Sequence, residues 1–287
     1  MTGSRVIDVR FDRYRGERSG RAWAIWSLAR WSALRAMGAR RGWKAKLIPI
    51  ALVLIAFAPA LVVLGLRALF AGAISDLSSA LPYSNYQQTI AIVILVFAVV
   101  VTPELLCPDR RDRTLTLYFS TAVSRSEYVI GKLLAAILPM LLLTLLPLIF
   151  LYAGSVVFAV HSVGYIQHHT RDIARILVGG LVPAVFYAIV GLAVASLTSR
   201  RAFAIGGYLA LMTVPTIVGG VLAMNLQSGH YLRLMAIVAA PIKVTQALYP
   251  GYTDRGNLGP AAWTITYFAV IAVSAAILAW RYRGDEG

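Results

Sequence analysis

Six apolar runs, each long enough to cross a bilayer, constrain this chain more than any other feature. They are Leu47 to Leu66, Tyr86 to Leu106, Leu133 to Val160, Ile176 to Leu197, Ala202 to Met224 and Ala261 to Trp280. At the rise of an α-helix, about 20 apolar residues match the hydrocarbon thickness of a membrane. In lipid a segment must satisfy its own backbone N–H and C=O groups, so unalternating runs of this kind can only be helices. The expected fold class is therefore an all-α integral membrane protein with six transmembrane helices. Composition agrees: 59% of the residues are hydrophobic, 14% are charged and the mean hydropathy is +0.73, an excess that no water-soluble core absorbs.

Two runs are irregular. The second has a short uninterrupted core, Ile90 to Val101, and borrows Gln87, Gln88 and Thr89 for length. Pro103 and Pro108 are expected to end it, because proline removes a donor and clashes with the preceding turn. The third run is overlong and contains Pro139 and Pro147, so a tilt or kink is expected there.

Charge sets the orientation. The net charge is +15, and 12 of the 27 Lys and Arg residues fall between Met1 and Lys46, just ahead of the first run. That position indicates an anionic lipid surface rather than nucleic acid. A six-span path with both termini cytoplasmic places 21 of the 27 inside, leaving Arg67, Arg171, Arg175, Arg233, Lys243 and Arg255 outside. A seventh apolar stretch, Tyr231 to Pro250, carries Arg233, Pro241 and Lys243. If it spanned, Arg281 and Arg283 would move outward, so it reads as a re-entrant segment or one lying at the outer interface.

Residues 1–46 read as a cytoplasmic tail followed by an interfacial helix, and 47–287 as one six-span domain. Between Arg21 and Lys46, Trp23, Trp26, Trp31 and Trp43 mingle with aliphatic residues, while Arg30, Arg35, Arg40 and Arg41 intervene. Such a helix lies on a membrane with its rings at headgroup depth and its arginines on phosphates. A soluble amphipathic helix packed on a partner is the alternative. Arg40-Arg41 ahead of a span-length run, with no small-residue cleavage site, is not read as a cleaved leader. The single Cys107 excludes an intramolecular disulfide, and His168-His169 reads as a solvated pair rather than a metal site.

Pro103 to Lys132 is the long polar insertion between two apolar runs, with five basic and four acidic residues. Asp109 and Ser124 are plausible N-caps, and Ser124 with Glu127 forms the S-x-x-E pattern of a capping box. Thr114 to Phe119 alternates in polarity and could be a strand, but a lone strand lacks a partner, so helix is favoured. A plain solvated loop that sets topology would not need four acids beside its five bases.

The string Leu115 to Ala135 resembles the signature loop of type-2 ABC exporter permeases, six-span subunits that work with a separate ATPase. Thr114-Leu115, Ser120, Ser124-Arg125 and Gly131-Lys132 stand at matching places. Arg113 replaces the usual glycine and Ala122 the usual proline. The order of parts extends the resemblance over nearly the whole chain. It implies that the loop, 103–132, sits in a groove of the ATPase. Leu115, Leu117, Tyr118 and Phe119 would anchor it. Asp109, Arg110, Arg111, Arg113, Ser124, Arg125, Glu127 and Lys132 would complete the coupling element. It also implies a pathway flanked by the second and fifth spans, with Gln88, Tyr208, Met212, Thr213 and Asn225 as its candidates.

The implied assembly contains two ATPase copies and a second, identical permease in the cell membrane. ATP and Mg would bind the partner, with no cofactor in this chain. A phosphate-binding loop fails here: Ser126 stands where the first glycine belongs and Leu133 follows Lys132. The expected function is ATP-driven export of a lipophilic or amphipathic compound. A membrane enzyme or its anchoring subunit is one alternative, and a non-transporting sensor or assembly factor another. The spans offer no paired carboxylates, His-Glu or Ser-His set, so no catalytic residue is expected.

Overall fold

The computed structural model describes residues 20–39, 42–69, 82–112, 114, 124–158, 169–225, 229–250, 252 and 258–283. Within them the chain is helical: α1 (Arg21–Ala36), α2 (Trp43–Leu69), α3 (Tyr83–Thr89), α4 (Ala91–Arg111), α5 (Arg125–Thr144), α6 (Leu146–Val157), α7 (Thr170–Ser196), α8 (Arg201–Asn225), α9 (Ala240–Ala247) and α10 (Pro260–Arg283). Six helical stretches are long and apolar enough to cross a membrane: α2, α4, α5 with α6, α7, α8 and α10.

Helix α1 is shorter than expected. It stops at Ala36, and Gly38 adopts φ +84. The Gly38 N–H bonds Arg35 O and the Ala39 N–H bonds Leu34 O, the paired bonds of a helix ending on a left-handed glycine. A Cβ on Gly38 would lie 2.8 Å from Ala45 O, so the reversal into α2 excludes a larger residue. Trp43 to Lys46, expected in the interfacial helix, instead form the first turn of α2.

The second span ends later than the prolines predict. Helix α4 runs through Pro103 and Pro108 to Arg111. Proline interrupts the ladder at one carbonyl without forbidding the next turn, and neighbouring helices enclose this one, so the helix continues. Asp109 is consequently inside α4 and is not an N-cap. Ser124 is: its Oγ accepts from the Glu127 N–H at 3.3 Å, while its own N–H donates to Glu127 Oε2 at 2.7 Å. The third span starts at that cap, at Arg125 rather than Leu133. Its expected kink is a one-residue break at Leu145, two positions before Pro147.

Helix α7 is the most enclosed of the six and packs against α4, α5, α8, α9 and α10. Gly191 makes its contact with α4 possible, since a Cβ there would lie 2.5 Å from Thr102 Oγ1. Small residues at such crossings let backbones approach where lipid supplies no hydrophobic drive. Pro183 leaves Gly179 O without its usual donor in α7. Gln87 Nε2 and Thr245 Oγ1 each reach that carbonyl at 3.5 Å, so α3 and α9 complete what the proline removes.

The stretch 229–247 does not form a span. It consists of a 3-10 turn at Gly229–Met235, another at Ile237–Ala239, and the eight-residue α9. Eight residues rise only about 12 Å, well short of a bilayer. Val238 O accepts from Tyr187 OH at 2.8 Å, and Gln246 Nε2 donates to Gln88 Oε1 at 2.7 Å, which ties the stretch to α7 and α3.

Candidate functional site

The two feet of the polar insertion, the C-terminal turns of α4 and the first turns of α5, come together under α1. Asp109 Oδ2 lies 2.6 Å from Lys132 Nζ, and each side chain is 1% exposed. Arg35 Nη2 of α1 donates to Asp109 Oδ1 at 2.7 Å, and Tyr128 OH donates to Asp109 Oδ2 at 3.0 Å. Lys132 Nζ also donates to Ser32 Oγ of α1 at 3.1 Å and stands 5.4 Å from the Tyr128 ring centre.

A buried charge is costly unless it is paired and hydrogen-bonded. Here one carboxylate accepts from three side chains, two of them cationic. The arrangement forms because α1 buries a stripe of small residues, Ala29, Ser32, Ala33 and Ala36, at the i, i+3, i+4, i+7 spacing of one helix face. That stripe brings α1 close against α5 and α4. Trp23, Trp26 and Trp31 of α1 are each more than half exposed. The Arg35 guanidinium meets Asp109 and not lipid phosphate, a correction to the expectation for α1.

A second polar group lies beside the first. Glu104 of α4 pairs with Arg201 at the start of α8, and Arg110 Nη1 donates to Ser196 O at the end of α7. The Cys107 thiol faces Thr198 O at 3.8 Å. Between these elements a recess of about 650 Å³ is lined by Glu104, Arg111, Asp112, Arg200 and Arg201. Arg111 and Asp112 form an exposed pair at 3.4 Å, a contact worth about 0–1 kcal/mol.

The expected coupling residues thus divide into three sets. Asp109 and Lys132 are interior, joining the feet of the insertion. Arg110 of α4 is half-buried against the end of α7, Arg111 is exposed, and Ser124 and Glu127 are committed to the cap of α5 while Arg125 is half-buried beside it. Arg113, Leu115, Leu117, Tyr118 and Phe119 lie outside the described residues. Sequence reasoning missed Ser32, Tyr128, Glu104, Arg201 and the inward use of Arg35.

The pathway candidates also separate. Tyr208 and Met212 are buried, with Tyr208 OH donating to Tyr187 O at 3.2 Å. Tyr208 thus faces α7, and Met212, one turn on, is enclosed within the subunit. Thr213 and Asn225 are on the exposed side of α8, each bonded to the carbonyl four residues back, at 2.7 Å. Gln88 is exposed and bonded to Gln246, whereas its neighbour Gln87 is fully buried and donates to Thr144 O at 2.9 Å. Of α8 only Ala204, Tyr208, Met212 and Gly219 are buried, so most of that helix is bare apolar surface.

Comparison with known protein families finds one matching family model, described as ABC-2 family transporter protein, over residues 33–282. Comparison with curated proteins finds no match.

Proposed function

The chain belongs to the ABC-2 family of transporter proteins and is a multi-pass permease subunit; on that premise we propose that it exports a lipophilic or amphipathic compound, driven by ATP hydrolysis on a separate subunit. The single observation that carries the mechanism is the buried Asp109–Lys132 pair held under α1 by Arg35 and Ser32. It joins the ends of α4 and α5 and fastens both to α1, so three elements share one polar joint. A force applied to the residues between Arg111 and Ser124 reaches the second and third spans together. The partner docks there through Leu115, Leu117, Tyr118 and Phe119, with Arg110, Arg111, Arg113, Arg125 and Glu127 at the rim. ATP and Mg are bound by that partner.

In this proposal both termini and the insertion lie on the cytoplasmic side of the cell membrane. The exposed tryptophans of α1 support its position at the headgroups, where amphipathic rings are favoured. The 229–247 stretch enters from the outer side without crossing. The bare faces of α2, α8 and α10 suit lipid and a second, identical permease, with two ATPase copies below. Thr213 and Asn225, on the bare side of α8, are the candidates that such a dimer would expose to substrate.

The test is copurification of the full chain with an ABC ATPase, followed by measurement of ATP hydrolysis in lipid discs. A screen of amphipathic compounds should find some that stimulate turnover. An ATPase that neither copurifies nor responds to any of them would count against export by this chain.

A further inference from the structure

The end of the bundle remote from α1 holds a second charged cavity, unrelated to the insertion. Helix α2 starts beside α1 and ends at Leu69; the α5–α6 span starts at the Ser124 cap and ends at Val157; α7 starts at Thr170 and ends against Arg110. Arg67, Ser155 and Arg175 therefore share the far end. They line a cavity of about 490 Å³ with His169, Asp172 and Tyr249.

Two guanidiniums from different helices line it. Arg67 Nη1 donates to Ser155 Oγ at 2.7 Å. Ser155 is buried and directs its own proton to Leu151 O at 2.7 Å, so a neutral hydroxyl, not a carboxylate, holds this arginine. Arg175 Nη1 bonds Asp172 Oδ1 at 2.8 Å, and its guanidinium carbon stands 5.8 Å from the Tyr249 ring centre. Among the described residues lining the cavity, two arginines face one carboxylate, which leaves positive charge in excess. Each guanidinium has five N–H donors in a planar fork, and the bonds to Ser155 and Asp172 use one from each. Burial, and then the nearby Asp172 carboxylate, push the Tyr249 phenol well above its ordinary range, so it remains a proton donor.

We infer that this cavity binds a head of net negative charge, a phosphate monoester carried by a membrane amphiphile or present as a free ion. Arginine forks match phosphate oxygens bidentately. The cavity has apolar walls from Leu151 and Pro250 beside the charges, as a headgroup with attached chain requires. Such binding stands on these side chains alone, whatever compound the permease exports.

The experiment uses the full chain in phosphatidylcholine discs doped with a photoreactive phosphatidic acid, the adducts being mapped by peptide mass spectrometry. Peptides carrying Leu151–Ser155 or Thr245–Pro250 should be labelled. Arg67→Gln with Arg175→Gln should reduce that labelling by about tenfold, the loss of two charge-assisted contacts. Arg171→Gln, at an exposed position outside the cavity, should leave it unchanged, and Arg67→Lys with Arg175→Lys, which keeps the charge but loses the forks, should fall between the two. If the glutamine pair is not monodisperse on gel filtration, Arg175→Gln alone carries the comparison. Displacement of the probe by inorganic phosphate would identify a free-anion site; labelling indifferent to phosphate would identify a lipid headgroup. Equal labelling of the glutamine variant and Arg171→Gln, or equal labelling by a photoreactive phosphatidylcholine, would overturn the inference.

Discussion

Asp109 and Lys132, 23 positions apart, form a buried ion pair at 2.6 Å that closes the base of the polar insertion. Residues whose charges pointed to an outward docking surface instead join two spans to each other and to α1. This distinction governs what substitution should do.

Removing one partner strands a buried charge, a loss of roughly 3–5 kcal/mol. Asp109→Asn should be the more damaging change, because it takes the carboxylate from Lys132 and from Arg35 at once and leaves Lys132 facing Ser32, a neutral hydroxyl. Lys132→Met leaves Asp109 with Arg35 and Tyr128 and should cost less. Thermal unfolding of the purified chain checks the order. Asp109→Asn with Lys132→Met should recover part of the loss, and equal melting of both single variants would contradict the assignment.

Docking through the insertion should depend on its apolar anchors. Tyr118→Ala with Phe119→Ala should weaken ATPase association by about 2 kcal/mol or more, while Arg111→Ala costs less, as the energies of anchors and exposed rims differ. Both variants should still insert in the membrane. Binding and transport at the parental rate in the double alanine variant would remove the anchor.

Orientation can be read with single cysteines. In a Cys107→Ser background, cysteines at Arg113 and Asp285 should both be shielded from an impermeant reagent applied outside intact cells. Modification at either position would reverse the proposed topology.

The α4–α7 crossing tests whether packing at Gly191 is tight. Gly191→Ala should destabilise the chain by about 1–3 kcal/mol, the range for overpacked cores, because Thr102 is buried and β-branched. Adding Thr102→Ala removes the obstructing atoms and should return much of that loss, as judged by melting temperature. If Gly191→Ala melts with the parent, the helices have room to part.

The pathway candidates on α8 make opposite predictions. Met212→Trp overfills a fully buried site and should lower stability whatever the substrate. Thr213→Trp projects from the bare face, so the protein should fold normally and transport should change. A folded Thr213→Trp variant with unaltered transport of every substrate would place the pathway elsewhere.

The number and order of spans were legible because each must match the bilayer, a requirement written into consecutive residues. Local chemistry was legible too, as the Ser124–Glu127 box shows, since its partners are three residues apart. Helix ends were less so: Pro103 and Pro108 lie within α4, where enclosure by neighbouring helices overrides their local preference. The joint under α1 was hidden because Arg35 and Asp109 are 74 positions apart, and nothing in either neighbourhood names the other. Gln87 and Gln88 illustrate the smallest such ambiguity. One residue is a turn of about 100° around a helix, which separates a buried tie to Thr144 O from an exposed amide.

The contact between Asp109 and Lys132 also makes residues 109–132 a ring, closed by charge in place of a covalent bond. Bringing the ends of a free segment together has an entropic cost that grows with the logarithm of its length. The folded bundle meets that cost before any ATPase arrives. Association then begins from ends already joined, so less of its contact energy is lost to confinement.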